Sequence, residues 1–165
     1  DNIREMDWMP RSLRQKSKDL EKAYRELENE LGHPATDKEV ADKLGLDLKE
    51  FNKLISEVSL SSLVSLDELL DQNYEIGSGR SINFQDDSPE RHVEITEIKE
   101  ILADAIDSLP EKEKKVLSFY YYEELTLKEI SVIMNVSESR VSQLHTKAIM
   151  RLRGKLARHK ALLLD

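Results

Sequence analysis

Residues 126–152 read TLKEISVIMNVSESRVSQLHTKAIMRL, and this stretch decides the fold of the carboxy-terminal half of the chain. Thr126 and Glu129 have the spacing of a capping box, in which a hydroxyl and a carboxylate each satisfy a free backbone amide at a helix start. Asn135 stands where a turn needs a left-handed residue, and Ser137 can cap a second helix. The stretch therefore predicts two helices joined by a tight turn, a helix-turn-helix.

The apolar and turn positions of this helix pair occur twice in the chain. The later set is Ile130, Ser131, Met134, Asn135, Val136, Ser137, Val141 and Leu144, and the earlier set is Val40, Ala41, Leu44, Gly45, Leu46, Asp47, Phe51 and Leu54. The spacing is identical in the two sets. It supplies the branched apolar residue, the small contact residue and the apolar anchors that such a helix pair needs. The sequence therefore predicts two helix-turn-helix units, but the spacing alone specifies no ligand for either.

The second helices of the two units differ in the side chains that they are predicted to present to solvent. The earlier helix offers a nearly neutral set, Lys49, Glu50, Lys53 and Glu57. The later helix offers Arg140, Ser142, Gln143, Thr146, Lys147 and Arg151. Arginine and glutamine pair with the edges of guanine and adenine in the major groove, where a helix fits. We therefore interpret the later helix as a DNA reader, with a solvated face carrying incidental bases as the alternative.

Further along the same helix, Arg151, Arg153 and Lys155 are better placed for phosphates than for bases. The earlier unit, with its neutral face, is more plausibly a structural three-helix unit.

The remaining periodicity predicts an all-α fold made of two small helical domains. A first helix is predicted from Pro10 to Leu31, and it completes a three-helix unit over residues 1–60. Helical spacing resumes at Val93, and Pro110 ends that helix and opens the next, which gives a four-helix helix-turn-helix domain over residues 93–165. Residues 61–92 lack this spacing and are predicted to be an acidic linker.

Charge is distributed unevenly along the chain. The formal net charge is −8, which taken alone argues against a nucleic-acid partner. Residues 138–160, however, contain seven basic side chains and one acidic one, whereas residues 66–90 contain seven acidic side chains and one arginine. This asymmetry suggests DNA as the partner of the basic end and a basic channel or surface as the partner of the acidic middle.

Several classes of function are disfavoured by what the sequence lacks. It has no cysteine, so a disulfide framework and a thiolate metal site are excluded, and the composition suits the cytosol. None of the four histidines has a metal-ligand partner at helical spacing, and no glycine-rich phosphate loop or catalytic set can be assembled. No apolar run is long enough to span a membrane. We therefore expect a protein that is not an enzyme and that has no cofactor, metal or small-molecule ligand.

Three stretches together carry a resemblance to a known family. LPEKEKKVL at residues 109–117 followed by YYYEELTLKEI at 120–130 resembles the fourth domain of bacterial sigma factors. VSESRVSQLHTKA at 136–148 continues it and is similar to the flagellar and motility type in particular. DWMPRSLR at 7–14 resembles the opening of the third domain of that type. The resemblance covers nearly the whole chain and is weakest in the linker.

The resemblance implies that the last helix reads the −35 promoter element. The residues that would form this DNA-binding surface are Glu138, Ser139, Arg140, Ser142, Gln143, Thr146, Lys147, Arg151 and Arg153. The residues that would face DNA near the upstream edge of the −10 element are Arg4, Arg11 and Arg14.

The resemblance also implies protein partners. The helices before the last one would dock on the flap of the RNA polymerase β subunit, and the linker would thread toward the active-site channel. An anti-sigma factor would hold the later domains inactive. Tyr120, Tyr121 and Tyr122 are consecutive, so at least one must face outward and could form part of a partner surface.

One departure from the family concerns the amino-terminal side. The domain that binds core polymerase and melts the −10 element is absent from this chain, so we expect a fragment that does not open promoters. Two other classes remain as alternatives. One is a ligand-responsive helix-turn-helix regulator, and the other is a module whose helix pairs bind only proteins.

Overall fold

The computed structural model of the chain describes residues 11–61 and 89–163. Within these two ranges every regular element is helical, which confirms the predicted all-α fold. None of the helices in the described ranges is long and apolar enough to cross a membrane. The predicted start at Pro10, the arginine at position 4 and most of the predicted linker lie outside the described residues.

The first unit consists of α1 (Arg11–Leu31), α2 (Asp37–Leu44) and α3 (48–61). The predicted capping box forms at the start of α2, where the Thr36 hydroxyl accepts a hydrogen bond from the amide of Glu39 and the Glu39 carboxylate accepts one from the amide of Thr36. Gly45 ends α2 with φ of 72°, a left-handed conformation that a side chain disfavours.

The core of the first unit is assembled from all three of its helices and from the last helix of the chain. Its fully buried members include Leu20 and Tyr24 of α1, Val40 of α2 and Phe51 of α3. Met150, which is more than 85 residues away in sequence, packs into the same core. The core of the first unit is therefore completed by a residue of the last helix.

The second unit consists of α4 (Pro89–Asp107), α5 (Glu111–Leu117), a π-helical turn (Ser118–Tyr122), α6 (Leu127–Met134) and α7 (Glu138–Leu163). Helix α4 begins four residues before the predicted start at Val93, because proline is well tolerated in the first turn of a helix. The π-helical turn was not anticipated from the periodicity. The turn is closed by a hydrogen bond of 3.0 Å from the amide of Glu123 to the carbonyl of Ser118, five residues earlier, which is the π-helical spacing.

Helix α7 is the central element of the described structure. It packs against α4, α5 and α6 of its own unit and against α1 of the first unit. One side of α7 contributes Val141 and Leu144 to a core with Val116 and Ile130. Ala148 and Leu152 pack in a second core with Ala105 of α4 and with Leu109, which follows α4. Its other side faces the first unit.

Candidate nucleic-acid interface

The turn between α6 and α7 has the geometry that the sequence predicts. The Thr126 hydroxyl accepts a hydrogen bond of 3.1 Å from the amide of Glu129, and the Glu129 carboxylate accepts one of 2.8 Å from the amide of Thr126. Asn135 adopts φ of 56° and ψ of 47°, in the left-handed region. The Ser137 hydroxyl accepts a hydrogen bond of 3.1 Å from the amide of Arg140, so it caps α7 as predicted. The local structure is therefore a helix-turn-helix with α7 as its second helix.

Helix α7 carries Arg140 and Gln143 on the side away from the core of its own unit. Val141, Leu144 and Ala148 are buried against that core. Arg140 and Gln143 lie on the opposite side and are joined by a hydrogen bond of 3.2 Å from the guanidinium to the amide oxygen. The apolar face is inward as predicted. The prediction that Ser142, Thr146, Lys147 and Arg151 face solvent is wrong, because these four residues are buried.

The outward face is covered by the first unit, and we call the part formed by Gln143, Lys147 and Arg151 the covered face. The Gln143 side-chain amide donates a hydrogen bond of 2.9 Å to the hydroxyl of Ser56 in α3. The ammonium of Lys147 lies 2.7 Å from a carboxylate oxygen of Asp37 in α2. Only 3% of Lys147 is exposed, whereas the Asp37 side chain is 34% exposed, so the ammonium is buried and its partner lies at the edge of the contact.

Arg151 joins the two units through a buried set of partners. Its guanidinium bonds to the carboxylate of Glu28 at 2.6 Å, donates to the carbonyl of Ala35 at 2.7 Å and pairs with the carboxylate of Glu113. The guanidinium carbon also lies 5.0 Å from the centre of the Tyr24 ring. Since Glu28 and Ala35 belong to the first unit and Glu113 to the second, Arg151 links the two.

Two further features show close packing between α1 and α7. Gly154 lies so near α1 that a Cβ atom there would come within 3.4 Å of the Cβ of Arg25. A Cβ atom at that distance would make an ordinary van der Waals contact, so α1 and α7 pack directly against each other here. Arg158 adds a hydrogen bond of 2.7 Å to the side-chain oxygen of Asn29. The contact between the units is therefore built from apolar packing, close backbone approach and ion pairs together.

The electrostatics of the covered face follow from burial. Burial lowers the pKa of Lys147, and the hydrogen bond and charge of Asp37 partly oppose that shift. Burial also disfavours the charge of Arg151, but the carboxylates of Glu113 and Glu28 outweigh it and raise the pKa of the guanidinium. Carboxylates of this chain therefore oppose the cost of burying both cations inside the contact.

The predicted DNA-binding residues fall into three groups by exposure. Glu138, Ser139 and Arg153 are exposed, Arg140 and Gln143 are half-buried, and Ser142, Thr146, Lys147 and Arg151 are buried. Among the residues predicted to lie near the −10 element, Arg11 is exposed and Arg14 is half-buried on α1, and Arg4 lies outside the described residues. The residues predicted to read the −35 element thus all lie on α7, but those in the middle of the helix are buried.

A second exposed surface lies on the helices before α7. Tyr122 of the π-helical turn is 83% exposed, and Val132 and Ile133 of α6 are 75% and 57% exposed. Two adjacent aliphatic residues left in water on a short helix favour contact with another protein. An outward tyrosine was predicted from the sequence, but the exposed aliphatic pair was not. The pair could have been found because α6 contains Val132 and Ile133 in addition to the residues that its contact with α7 requires.

Comparisons with known proteins agree on one family. Residues 15–80 match the profile described as sigma-70 region 3, and residues 105–154 match the profile described as sigma-70, region 4. The chain is 41% identical over 156 residues to RNA polymerase sigma factor FliA of Yersinia enterocolitica, covering 94% of this chain and 68% of that protein. It is 36% identical to the RNA polymerase sigma-D factor of Bacillus subtilis, covering 94% of this chain and 62% of that protein.

Among solved structures, the chain is similar to one described as the cocrystal structure of the flagellar sigma/anti-sigma complex Sigma-28/FlgM. The sequence identity is 34% and the TM-score is 0.49, covering 95% of this chain and 66% of that one. The chain spans about two thirds of the length of the relatives that it matches.

Proposed function

Because the chain belongs to the sigma-70 family of RNA polymerase sigma factors, of which it carries regions 3 and 4, we propose that α7 reads the −35 element of flagellar-type promoters. The observation that carries the proposal is the helix-turn-helix of α6 and α7, whose outward face holds Arg140, Gln143 and Lys147. In such folds the amino-terminal part of the second helix meets the base edges. Glu138 and Ser139, at that end, are already exposed.

The roles of the proposed contacts differ along the helix. Arg140 and Gln143 have the donors and acceptors that read purine edges in the major groove. Lys147, Arg151 and Arg153 lie further along and suit phosphates, which fix the register of a protein on a duplex. Ser142 and Thr146 supply hydroxyls on the same helix, and Glu138 and Ser139 complete the surface.

DNA reading by α7 requires the two units to separate. Gln143 and Lys147 cannot reach a duplex while they are bonded to Ser56 and Asp37 of the first unit. While the two units are in contact, the hydroxyl of Ser56 and the carboxylate of Asp37 bind the donors that we propose for base edges and phosphates. The same side chains therefore serve two alternative partners.

The proposal includes RNA polymerase core as a protein partner. The exposed Tyr122, Val132 and Ile133 precede the recognition helix α7, as expected for a surface that docks on the β flap. The acidic residues 66–90 suit a tether in the active-site channel because they complement a basic, nucleic-acid-shaped passage. An anti-sigma factor that holds the later domains, a cytoplasmic location and the lack of catalytic activity complete the proposal.

A binding experiment tests the proposal with the chain as it is. Fluorescence anisotropy with a labelled duplex carrying a flagellar-type −35 element, and with a scrambled duplex, is measured between 50 and 200 mM salt in the presence of RNA polymerase core. We expect tighter binding to the −35 duplex and an affinity that falls steeply with salt. Arg140→Ala is expected to weaken binding of the specific duplex by roughly tenfold, and Lys18→Ala, which removes a positive charge from an exposed position of α1, serves as the control. Equal affinity for both duplexes would contradict the proposal and favour a module that binds only proteins.

A further inference from the structure

A buried histidine lies on the recognition helix, on the side away from the covered face. His145 is 3% exposed, and its Nε2 lies 2.8 Å from the hydroxyl oxygen of Tyr121. Burial lowers the pKa of His145 to about 4, so the ring is neutral at pH 7. Burial also raises the pKa of Tyr121, so its hydroxyl keeps the proton. The bond therefore joins two uncharged groups, and the tautomer of the ring decides which of them donates.

The first unit provides an internal comparison for this pair. With the offset of 90 residues that relates the two helix-turn-helix units, the slot of His145 corresponds to Ile55, which is 1% exposed in the core of the first unit. The slot of Tyr121 corresponds to Leu31. The same helix pair therefore folds with apolar residues at both slots, and the fold alone does not require a hydrogen bond there. The polar pair occurs in the unit that carries the basic face.

Tyr121 extends from the protein surface to the recognition helix. It belongs to the π-helical turn, a rare conformation that is frequent at functional sites. Tyr121 is 48% exposed, and the neighbouring Tyr122 is 83% exposed. Tyr120 packs edge-on against Tyr121 with ring centres 5.0 Å apart, and its ring centre lies 5.2 Å from that of His145. Any partner that contacts the exposed face of Tyr121 therefore touches a side chain bonded directly to α7.

We propose that the Tyr121–His145 hydrogen bond is a positioning link that sets the orientation of the recognition helix and couples binding of RNA polymerase at the tyrosine surface to reading of the −35 element. Tyr121 and His145 are positioning residues, because they act through α7 and touch no base. The inference rests on the proposed function, since it needs both partners. Its consequence is that polymerase raises the affinity of α7 for DNA through this bond, and DNA raises the affinity for polymerase by the same factor.

The test measures that factor. All variants carry Asp37→Lys, which weakens the contact between the units by the same amount in each, so that separation of the units contributes equally to every ratio. Affinity for the −35 duplex is measured by anisotropy with and without saturating RNA polymerase core. We expect the ratio of the two affinities to be about tenfold in the parent chain and to fall close to one in Tyr121→Phe. Tyr24→Phe removes a tyrosine hydroxyl from the core of the first unit, where it has no hydrogen-bond partner among the described residues, and it is expected to keep the ratio.

A second pair of variants separates positioning from folding. His145→Gln keeps an oxygen that can accept from Tyr121, and it is expected to retain the coupling. His145→Ile imports the residue of the first unit, and it is expected to fold and lose the coupling. In addition, the ¹⁵N shifts of His145 should report one neutral tautomer in the parent chain and a changed pattern in Tyr121→Phe. Retained coupling in Tyr121→Phe would overturn the inference and leave the proposed function intact, whereas failure of the parent chain to bind DNA or polymerase would refute both.

Discussion

The two helix-turn-helix units of this chain share one local design and differ in what surrounds it. Each begins with a threonine capping box, at Thr36 and at Thr126, and each turns through a left-handed residue, Gly45 in one and Asn135 in the other. The exposed side chains of α3, the second helix of the first helix-turn-helix, are nearly neutral in charge. Helix α7 is basic, and the first unit covers its polar side. Spacing and caps therefore define the helix pair, and the remaining side chains define its partners.

The largest difference expected between the units is the loss of folding stability at low pH. His145 binds a proton near pH 6.5 in the unfolded chain and only near pH 4 in the folded chain. The stabilisation from burying the neutral ring is thus complete above pH 6.5 and is lost as the pH falls toward 4, by on the order of 3 kcal/mol. The buried slot of the first unit holds Ile55, which does not titrate.

Urea unfolding at pH 7 and pH 4.5 measures this effect. The three chains compared are the parent, His145→Ile and His33→Gln, which alters an exposed histidine, and all three contain the same carboxyl groups. His145→Ile should lose less stability on acidification than the other two. Equal losses in all three would show that His145 is not held neutral by the fold.

An intermediate effect is expected from breaking the contact that distinguishes α7. Asp37→Lys removes the carboxylate from Lys147 and places a like charge beside it, and removing one partner of a buried ion pair is strongly destabilising. The units should then separate more often, and affinity for the −35 duplex should rise about tenfold, which corresponds to about 1.4 kcal/mol.

A matched control isolates the role of the contact. Asp42→Lys makes the same change of charge on an exposed position of the same helix, α2. It should raise DNA affinity only slightly, through general attraction to phosphates. If both variants bind DNA equally well, the contact between the units does not limit DNA binding.

The smallest effect is expected from the shared caps. Thr36→Ala and Thr126→Ala each remove a hydroxyl that accepts one amide hydrogen bond, and each should cost about 1 kcal/mol of unfolding free energy. Only Thr126→Ala should also weaken DNA binding, since it loosens the helix that supports α7. Thermal unfolding and anisotropy on the same two variants measure this, and an equal loss of DNA affinity in both would contradict the assignment of reading to the second unit.

Sequence reasoning anticipated the features that depend on residues close together in the chain. The caps at Thr36, Thr126 and Ser137 and the left-handed turn at Asn135 each rest on a partner within about four residues. The division of α7 into apolar and polar faces follows from helical spacing. These elements could be predicted because the physics that fixes them is local.

The contacts that the sequence did not reveal join residues far apart. Lys147 and Asp37 are 110 positions apart, and Arg151 and Glu28 are 123 positions apart. Basic residues on an outward face were interpreted as DNA contacts, and the carboxylates that meet them here lie on helices whose relative placement no local pattern specifies. The bond between Tyr121 and His145 was missed for the same reason, because it needs the π-helical turn that periodicity does not predict.

The covered face of α7 has a quantitative consequence for any partner that competes for it. The observed affinity for a duplex equals the affinity of the separated form multiplied by the fraction of molecules that are separated. If about 1% of the chains are separated at any moment, the duplex binds about a hundredfold more weakly than to a permanently separated chain. Substitutions at Glu28 or Ser56, neither of which is proposed to touch DNA, therefore tune promoter occupancy through this fraction.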